Sequence, residues 1–512
     1  MQKILSIIII ASFIATGCNK HLNEENLNYP SLNPAKLDLN AGTWKPILLN
    51  AADEFPLVAP VPNTSSLYTA EINEIKGWQR NLTAQQISRI KFWSAGAILR
   101  WNEILRELVA KHNIPSTQNS DTSYPFPSAA NPFAYPIFPF SNPPYAARAY
   151  AYVAAAQYDA LVAAWHYKIL YNRIPPHKFD ASVQSLVPSS DLPSYPSEDA
   201  TVVGVTVELL KLLFPADLNF IQEKADEEKL CRIMAGANVR SDIDAGEALG
   251  KAVAQKFTAR ARTDRAGAAI GTALQWADME NRTIANGEIP WVSQEAPKRP
   301  PMLPLFGKVK TFLFDSVALL SIRPPAPPST HSAQFQTELN EVLALSNNYT
   351  REHMRIVGFW ADGINTYTPP GHWNAIAAAN FVQLNWSEVR WARNMALLNM
   401  AMMDAAIACW DTKYLYFSPR PSQVNPVIKT LTGLPNFPSY TSGHSTFSGA
   451  AASVLSYLIP PKATEFEAMA NEASVSRMYG GLHYRSDCEQ GLKCGARVGT
   501  FALARARTDG AD

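Results

Sequence analysis

The sequence predicts an all-α protein made of two pseudo-symmetric helical bundles that arose by internal duplication. Apolar residues recur at helical spacing along much of the 512-residue chain. No segment alternates convincingly between apolar and polar residues, as a half-buried strand does. In addition, residue types recur in one register at an offset of 245 positions, as between Arg148 and Arg393.

The repeat aligns residue types that chance rarely aligns in alanine-rich helices. The matched pairs include Asp159 with Asp404, Trp165 with Trp410, Lys168 with Lys413, and Arg240-Ser241-Asp242 with Arg485-Ser486-Asp487. The register holds without a gap over about a hundred positions, which is long for a repeat signal. It predicts two related units of roughly four to six helices each, packed together.

The helical spacing also locates individual helices. In the first unit it predicts helices over Arg148–Lys168, Ala200–Leu213 and about Phe220–Phe257. In the second unit it predicts helices over Thr350–Ala361, Trp373–Trp410, Ser445–Leu458 and, with interruptions, Glu465–Leu503. Proline-rich stretches at Lys298–Pro304 and Arg323–Pro328 mark a crossing between the units. We assign residues 46–300 to the N-terminal bundle, 301–348 to the crossing and 349–512 to the C-terminal bundle.

The N-terminus resembles a bacterial lipoprotein signal over residues 1–17. Leu5–Ile14 is an apolar run too short for a comfortable membrane span, and Ala15-Thr16-Gly17 precedes Cys18. We expect export to the periplasm or outer surface, a lipid anchor on Cys18 and a polar tether over residues 18–45. The alternative is an ordinary secretory signal that ends near Gly17.

Charge and cysteine content limit the classes of partner. The net charge of +1 gives no strong field, so we expect no nucleic-acid partner. The five cysteines form no CxxC pair, which argues against a zinc site. Cys488 and Cys494 either pair in an oxidising compartment or serve as small buried apolar residues.

Three short stretches of the C-terminal unit combine cationic residues with histidines. They are Lys413 to Arg420, Ser442-Gly443-His444, and Arg477 to His483 with Asp487 four residues further on. Ser442 and Gly443 come just before a predicted helix, where backbone N–H groups and the helix dipole can face an anion. His483 and Asp487 are expected on one helical face, where Asp487 can orient the imidazole.

These residue types together favour a site for a tetrahedral oxyanion such as phosphate or vanadate. Such an anion needs several cations, and the guanidinium group of arginine gives bidentate contacts. One histidine can attack or coordinate the central atom, while the other moves protons near neutral pH. Each residue alone has an ordinary explanation, such as a solvated charge or a helix cap, but the ordered spacing of the whole set does not.

The three stretches resemble the signature shared by type-2 phosphatidic acid phosphatases, class A acid phosphatases and vanadium-dependent haloperoxidases. Thr441 stands where the second motif of this superfamily has a proline. The resemblance implies that the oxyanion is bound by Lys413, Arg420, Ser442, Gly443 and Arg477. It implies that the catalytic residues are His444, as acid–base, His483, which bonds vanadium or attacks phosphorus, and Asp487.

Three further residues resemble the haloperoxidase branch and imply a haloperoxidase-like fold. Trp410 and Phe437 take positions where aromatic side chains wall the halide side of the vanadate, and Asp362 takes the position of an aspartate that pairs with the arginine matching Arg477. Core packing is the alternative explanation for the two aromatic residues. For His372 we favour a hydrogen bond to a loop carbonyl over a position in the cleft.

The N-terminal unit lacks the residues that the site requires. Asp199, Asn238, Pro175 and Glu198 stand at the positions of His444, His483, Arg420 and Gly443. Because two acidic side chains repel an anion and no nucleophile remains, we expect this bundle to be degenerate and structural. The C-terminal bundle is then the catalytic one.

The leading hypothesis is an enzyme of the haloperoxidase type, with vanadate as its cofactor and hydrogen peroxide and a halide as its partners. The second is an acid phosphatase that hydrolyses a phosphate ester through a phosphohistidine and uses no cofactor. The third is a non-enzymatic surface lipoprotein that binds an oxyanion. All three use one site, so the sequence leaves the central atom open.

Overall fold

In a computed structural model of the chain, residues 29–113, 142–295 and 298–511 are described. These ranges are helical and contain no β-strand, so the predicted all-α class is confirmed. The predicted signal peptide, Cys18 and residues 18–28 of the predicted tether lie outside the described residues. A search of the described helices finds none with the length and apolar character needed to cross a membrane.

Residues 29–45, the remainder of the predicted tether, lie against the helices. The Leu32 N–H donates to the Ser94 carbonyl, and Asp38 forms an ion pair with Arg390 at 2.7 Å. A 3-10 helix follows at Leu39–Thr43. The next three helices, which the sequence analysis did not predict, are α1 (Ser66–Gln79), α2 (Ala84–Trp93) and α3 (Ala97–His112).

The first repeat contains five helices. They are α4 (Pro143–Tyr171), α5 (Pro176–Phe179), α6 (Glu198–Leu213), α7 (Leu218–Met234) and α8 (Arg240–Thr263). The single helix predicted over Phe220–Phe257 is wrong, because the chain is helical only up to Met234 and again from Arg240. Gly236 between them has a φ of +68°, a left-handed conformation that ends a helix.

Five helices connect the repeats. They are α9 (Ala273–Ala285), α10 (Ser316–Ile322), α11 (Ala333–Asn347), α12 (Arg351–Phe359) and α13 (Thr368–Phe381). Two of them, α10 and α11, lie within the stretch predicted as a proline-rich crossing. The turn between α12 and α13 carries Asp362, and it forms part of the site described below.

The second repeat again contains five helices. They are α14 (Glu388–Tyr416), α15 (Pro421–Val424), α16 (Gly443–Leu458), α17 (Ala463–Tyr479) and α18 (Arg485–Ala506). The continuous helix predicted over Trp373–Trp410 is wrong. The chain leaves the helix after Phe381, Asn385 adopts a left-handed φ of 46°, and the Ser387 side chain caps a new helix.

The two repeats match in structure as well as in sequence. Each helix of the second repeat begins 245 residues after its counterpart in the first, as with α6 at Glu198 and α16 at Gly443. Buried contacts match too. Asp159 accepts hydrogen bonds from the backbone N–H groups of residues 47 to 49, and Asp404 accepts them from those of residues 312 and 313. The sequence repeat is therefore also a repeat of helices and of buried contacts.

The long helices α4 and α14 pack against each other and join the repeats into one core. Within each repeat a close helix pair supports the site region, with α6 against α8 and α16 against α18. Glycine permits this approach. A Cβ on Gly250 would lie 2.2 Å from the Thr201 carbonyl oxygen, and one on Gly495 would lie 2.0 Å from that of Thr446.

Replacing Gly495 with valine should therefore destabilise the protein by about 3 kcal/mol, because backbone atoms of α16 must move away. The matched control is Gly358→Ala in α12, where an added Cβ meets nothing within 4 Å. Urea unfolding of both variants measures the difference. Equal stability of Gly495→Val and the wild type would contradict the close packing of α16 on α18.

The four described cysteines are buried free thiols: Cys231, Cys409, Cys488 and Cys494. Burial raises the pKa of the Cys488 thiol to about 12, which disfavours the reactive thiolate. Of the two explanations left open by the sequence, small buried residues rather than a disulfide describe Cys488 and Cys494.

Candidate active site

A cavity of about 480 Å³ brings the three sequence stretches together. The predicted site residues on its wall are Asp362, Trp410, Phe437, Gly443, His444, Arg477 and His483. Lys413 and Arg420 are fully buried and contact the loop that carries Phe437. Residues far apart in the sequence thus line one cavity.

His483 lies in the loop before α18, not on a helix. The left-handed Gly481 turns the chain, and α18 begins only at Arg485. The expectation that His483 and Asp487 share a helical face is therefore wrong. They still meet, with His483 Nδ1 2.9 Å from Asp487 Oδ2, because the first turn of a helix faces the residues that precede it.

Asp487 has two further donors that fix its carboxylate. The Ser439 hydroxyl and the Tyr484 N–H both donate to Oδ2. An ionised carboxylate accepts hydrogen bonds only, so the proton of the neutral His483 ring belongs on Nδ1. Nε2 then carries the lone pair of the ring, which here accepts from Arg420 and which can instead bond a metal or attack phosphorus. Ser439 is a supporting residue that the sequence analysis did not identify.

Arg420 and Lys413 fix the loops around His483. The Arg420 guanidinium donates to the Phe437 carbonyl, to the Leu482 carbonyl at 2.9 Å and to His483 Nε2 at 2.9 Å. The Lys413 ammonium donates at 2.8 and 2.9 Å to the carbonyls of residues 438 and 439. An ammonium has three N–H groups, so Lys413 can also bind a further acceptor.

The start of α16 differs from the sequence expectation in one respect. The Ser442 N–H donates to the Asp487 carbonyl at 3.0 Å, so it is not available to an anion. The Ser442 hydroxyl caps the helix by accepting from the Ser445 N–H. Gly443 is the first residue of α16, where the backbone N–H has no partner within the helix. Its N–H remains the donor that an anion can use.

The resemblance implies that Asp362 pairs with Arg477, but in the structure the two side chains have other hydrogen-bond partners. Arg477 Nη1 donates to the Trp360 carbonyl at 3.0 Å. The Asp362 carboxylate instead accepts from His372 Nδ1 at 3.0 Å and lies 3.8 Å from His444 Nε2. Our preference for a loop carbonyl as the partner of His372 is therefore wrong.

Trp410 and Phe437 form one wall of the cavity. Their ring centroids are 5.1 Å apart, and the Trp410 N–H donates to the Met302 carbonyl. The Lys413 ammonium lies 4.8 Å from the centroid of the Phe437 ring. Both rings are buried and also line the cavity, so core packing and a role in the site are compatible.

Parts of this chain are similar to proteins of known family and structure. Residues 394–509, which carry all three stretches, match the PAP2 superfamily. This region of the chain is similar to that superfamily. The prediction of an enzyme related to peroxidases or phosphatases is thereby confirmed.

Two solved structures are similar to this chain over most of its length, well beyond residues 394–509. A bacterial vanadium-dependent iodoperoxidase aligns over 79% of this chain and 95% of its own, with 25% identity and a TM-score of 0.58. An apo-type bacterial vanadium-dependent chloroperoxidase aligns over 71% of this chain and 93% of its own, with 13% identity and a TM-score of 0.50, which shows the fold alone. The predicted haloperoxidase-like fold is confirmed. No curated protein sequence matches the chain.

The first repeat shows what its degenerate site contains. Glu198, at the position of Gly443, places its carboxylate 2.7 Å from the Lys168 ammonium and 3.3 Å from Arg232. These two cations correspond to Lys413 and Arg477 of the second repeat. In the first repeat the Glu198 carboxylate thus lies between these two cations. The second repeat has Gly443, without a side chain, at that position. In the second repeat a Cβ on Gly443 would meet only Trp410, at 3.8 Å.

Burial disfavours the charged forms of the side chains in this site. It lowers the pKa of the Lys413 ammonium to about 7, and the pKa values of Arg420 and Arg477 to about 10. Burial, reinforced by the nearby cations, also holds the pKa values of His444 and His483 well below their ordinary value. A bound anion would offset this penalty on the charged forms of the cations, so the site favours an anionic ligand.

Oxyanion binding at pH 8 should therefore be accompanied by uptake of about one proton. With a pKa of about 7, Lys413 is mostly neutral at this pH, and a bound anion raises that pKa towards the ordinary 10.5. Calorimetric titration with orthovanadate in buffers of different ionisation enthalpy measures the uptake. Lys413→Met should abolish it, whereas Lys493→Met, at an exposed position of the same domain, should not. Equal uptake in Lys413→Met and the wild type would contradict this assignment.

Proposed function

We propose that this chain is a vanadate-dependent haloperoxidase, which oxidises a halide ion with hydrogen peroxide. One observation carries the proposal: buried cations surround the unprotonated Nε2 of His483 at a cavity walled by Trp410 and Phe437. The iodoperoxidase, at 25% identity over most of both chains, supports the choice of vanadium over phosphorus.

The residues present suit an oxyanion such as vanadate. Arg477 Nε and His444 Nε2 belong to the buried side-chain atoms that have no hydrogen-bond partner within the described part of the chain. A buried charged donor without a partner destabilises the protein, and a bound oxyanion would accept the missing hydrogen bond. His483 would bond the vanadium through Nε2, and Lys413, Arg420, Arg477 and the Gly443 N–H would hold the oxygens. When bound, vanadate supplies a Lewis-acidic centre that activates peroxide towards a halide ion.

The remaining residues of the chain have distinct tasks. His444, whose pKa is held low by burial, is neutral at ordinary pH and can accept a proton from incoming peroxide. Asp362 lies close enough to stabilise the resulting imidazolium. Trp410 and Phe437 exclude water from one side of the cavity. Overall, a halide ion, hydrogen peroxide and one proton give a hypohalous acid and water.

A phosphatase is the second candidate, favoured by the PAP2 superfamily match. The same Nε2 of His483 would attack phosphorus and form a phosphohistidine, and His444 would protonate the leaving oxygen. Water would then release phosphate. The cationic side chains of Lys413, Arg420 and Arg477 would stabilise the negative charge that develops in this reaction.

A paired assay on one preparation distinguishes the two candidates. Halide oxidation with peroxide is measured beside hydrolysis of an aryl phosphate, each with and without orthovanadate. The proposal expects iodide, bromide or chloride oxidation that appears only with vanadate. Hydrolysis that vanadate inhibits, without any halide oxidation, would replace the proposal by the phosphatase.

The sequence also supports a location. We propose that the chain is exported and anchored to a membrane through lipid on Cys18, as the signal-like N-terminus suggests. Incorporation of labelled palmitate into the wild type, and its loss in Cys18→Ser, would support this anchor. Unlabelled wild type would contradict it.

A further inference from the structure

His372 contacts the site without touching the oxyanion position. Its Nδ1 lies 3.0 Å from Asp362 Oδ1 and 3.3 Å from Oδ2. Oδ2 of the same carboxylate also lies 3.8 Å from His444 Nε2. The sequence signature does not include His372, and the proposed mechanism above does not use it.

The turn that carries Asp362 is conformationally strained. Asp362 has a φ of 45° and Thr368 a φ of 67°, both in the left-handed region. That region is unfavourable for a β-branched residue such as Thr368, and such strain persists only where surrounding contacts enforce it. Asn113 holds part of the turn by donating to the Gly363 carbonyl at 2.7 Å. His372 supplies the contact that acts on the Asp362 side chain itself.

His372 also lies on a helix that contacts the helix carrying His444. It is buried on α13 and packs 4.6 Å from the ring of Trp360, whose carbonyl accepts from Arg477. The next residue, Trp373, donates to the Ser448 hydroxyl on α16 at 3.0 Å. Because α16 begins with Gly443 and His444, two consecutive residues of α13 connect the Asp362 turn with the helix that carries His444.

We propose that His372 is a positioning residue, which holds the Asp362 carboxylate so that its Oδ2 faces His444. The inference rests on the proposed function only in that His444 moves a proton in either candidate reaction. Without the His372 contact, the carboxylate can rotate. His444, whose imidazole also bonds the backbone at Trp360 and Ala361, then loses the acidic group that stabilises its charged form.

The experiment compares full-length wild type with His372→Ala and His372→Asn, since the asparagine amide can still donate to Asp362. The control is His177→Ala, a histidine of the first repeat that contacts Ser189. The first readout is kcat in the reaction that the paired assay identifies. The second is the ¹⁵N chemical shifts of the His444 imidazole, assigned with His444→Ala, which require no activity.

We expect kcat to fall roughly 10- to 100-fold in His372→Ala, with a small change in KM, and to recover in His372→Asn. The His444 signals should move in His372→Ala and return near their wild-type positions in His372→Asn. Unchanged His444 signals in His372→Ala would overturn the proposal, as would a folded His372→Asn that loses activity equally.

If His372→Ala does not fold, the asparagine variant decides by the same two readouts. If the wild type catalyses neither reaction, the proposed function fails. The ¹⁵N comparison then still tests whether His372 positions Asp362 against His444.

Discussion

Replacing His483 with alanine is expected to abolish activity and to weaken orthovanadate binding by about 100-fold or more. The variant removes the only group in the proposed site that would bond the central atom directly. The effect should appear in both candidate reactions, because the same Nε2 would bond vanadium or attack phosphorus. Equilibrium dialysis against vanadate and the two activity assays measure it.

His483→Ala should leave the fold intact. Asp487 keeps the hydrogen bonds from Ser439 and Tyr484, so its carboxylate is not left unpaired. The matched control is Asn238→Ala, at the equivalent position of the first repeat, which should bind vanadate like the wild type. A folded His483→Ala that binds vanadate as tightly as the wild type would contradict the assignment of the site.

Replacing His444 with alanine should separate binding from turnover. We expect kcat to fall about 100- to 10,000-fold, because the variant removes the group that moves the proton. Vanadate affinity should change by less than about threefold, since the Gly443 N–H and the surrounding cations remain. Steady-state kinetics with dialysis on the same preparation measure the two effects.

The control for His444→Ala is His353→Ala, on α12, where the imidazole stacks on Tyr479. It should keep wild-type kinetics. Full activity in His444→Ala would exclude acid–base catalysis by this residue. A chain that binds vanadate but has no activity in either assay would instead favour the third hypothesis, an oxyanion-binding protein.

The sequence predicted the features that depend on local pattern. The repeat register anticipated the positions of α4 to α8 relative to α14 to α18, because several matched residues make the same contact in both copies. Trp165 and Trp410, for example, each donate from the indole N–H to a carbonyl at 3.1 Å, that of Leu37 and that of Met302. The three stretches around the cavity follow from spacing in the same way.

Features that depend on contacts between distant residues could not be predicted. The Ser442 N–H is used by the Asp487 carbonyl, and His372 meets Asp362 across a strained turn. Neither contact leaves a periodic signal in the sequence. The break after Phe381 was missed because apolar spacing continues through it, although the chain leaves the helix there and turns at the left-handed Asn385.

The first repeat gives an independent argument for where an oxyanion binds in the second. The Glu198 carboxylate bridges Lys168 and Arg232, and no such internal anion stands between Lys413 and Arg477 at Gly443. One vanadate per chain is therefore expected, in the second repeat. Sequence reasoning found the acidic substitution, but only the structure shows that it neutralises the matching cations.

Stoichiometric reconstitution tests whether vanadate bound in the second repeat makes the chain a haloperoxidase. Apo-protein is titrated with orthovanadate, and iodide oxidation by hydrogen peroxide is measured at each step beside the bound vanadium. We expect activity to rise in proportion to bound vanadate and to reach its maximum at about one vanadate per chain. Saturation of the site without halide oxidation would contradict it.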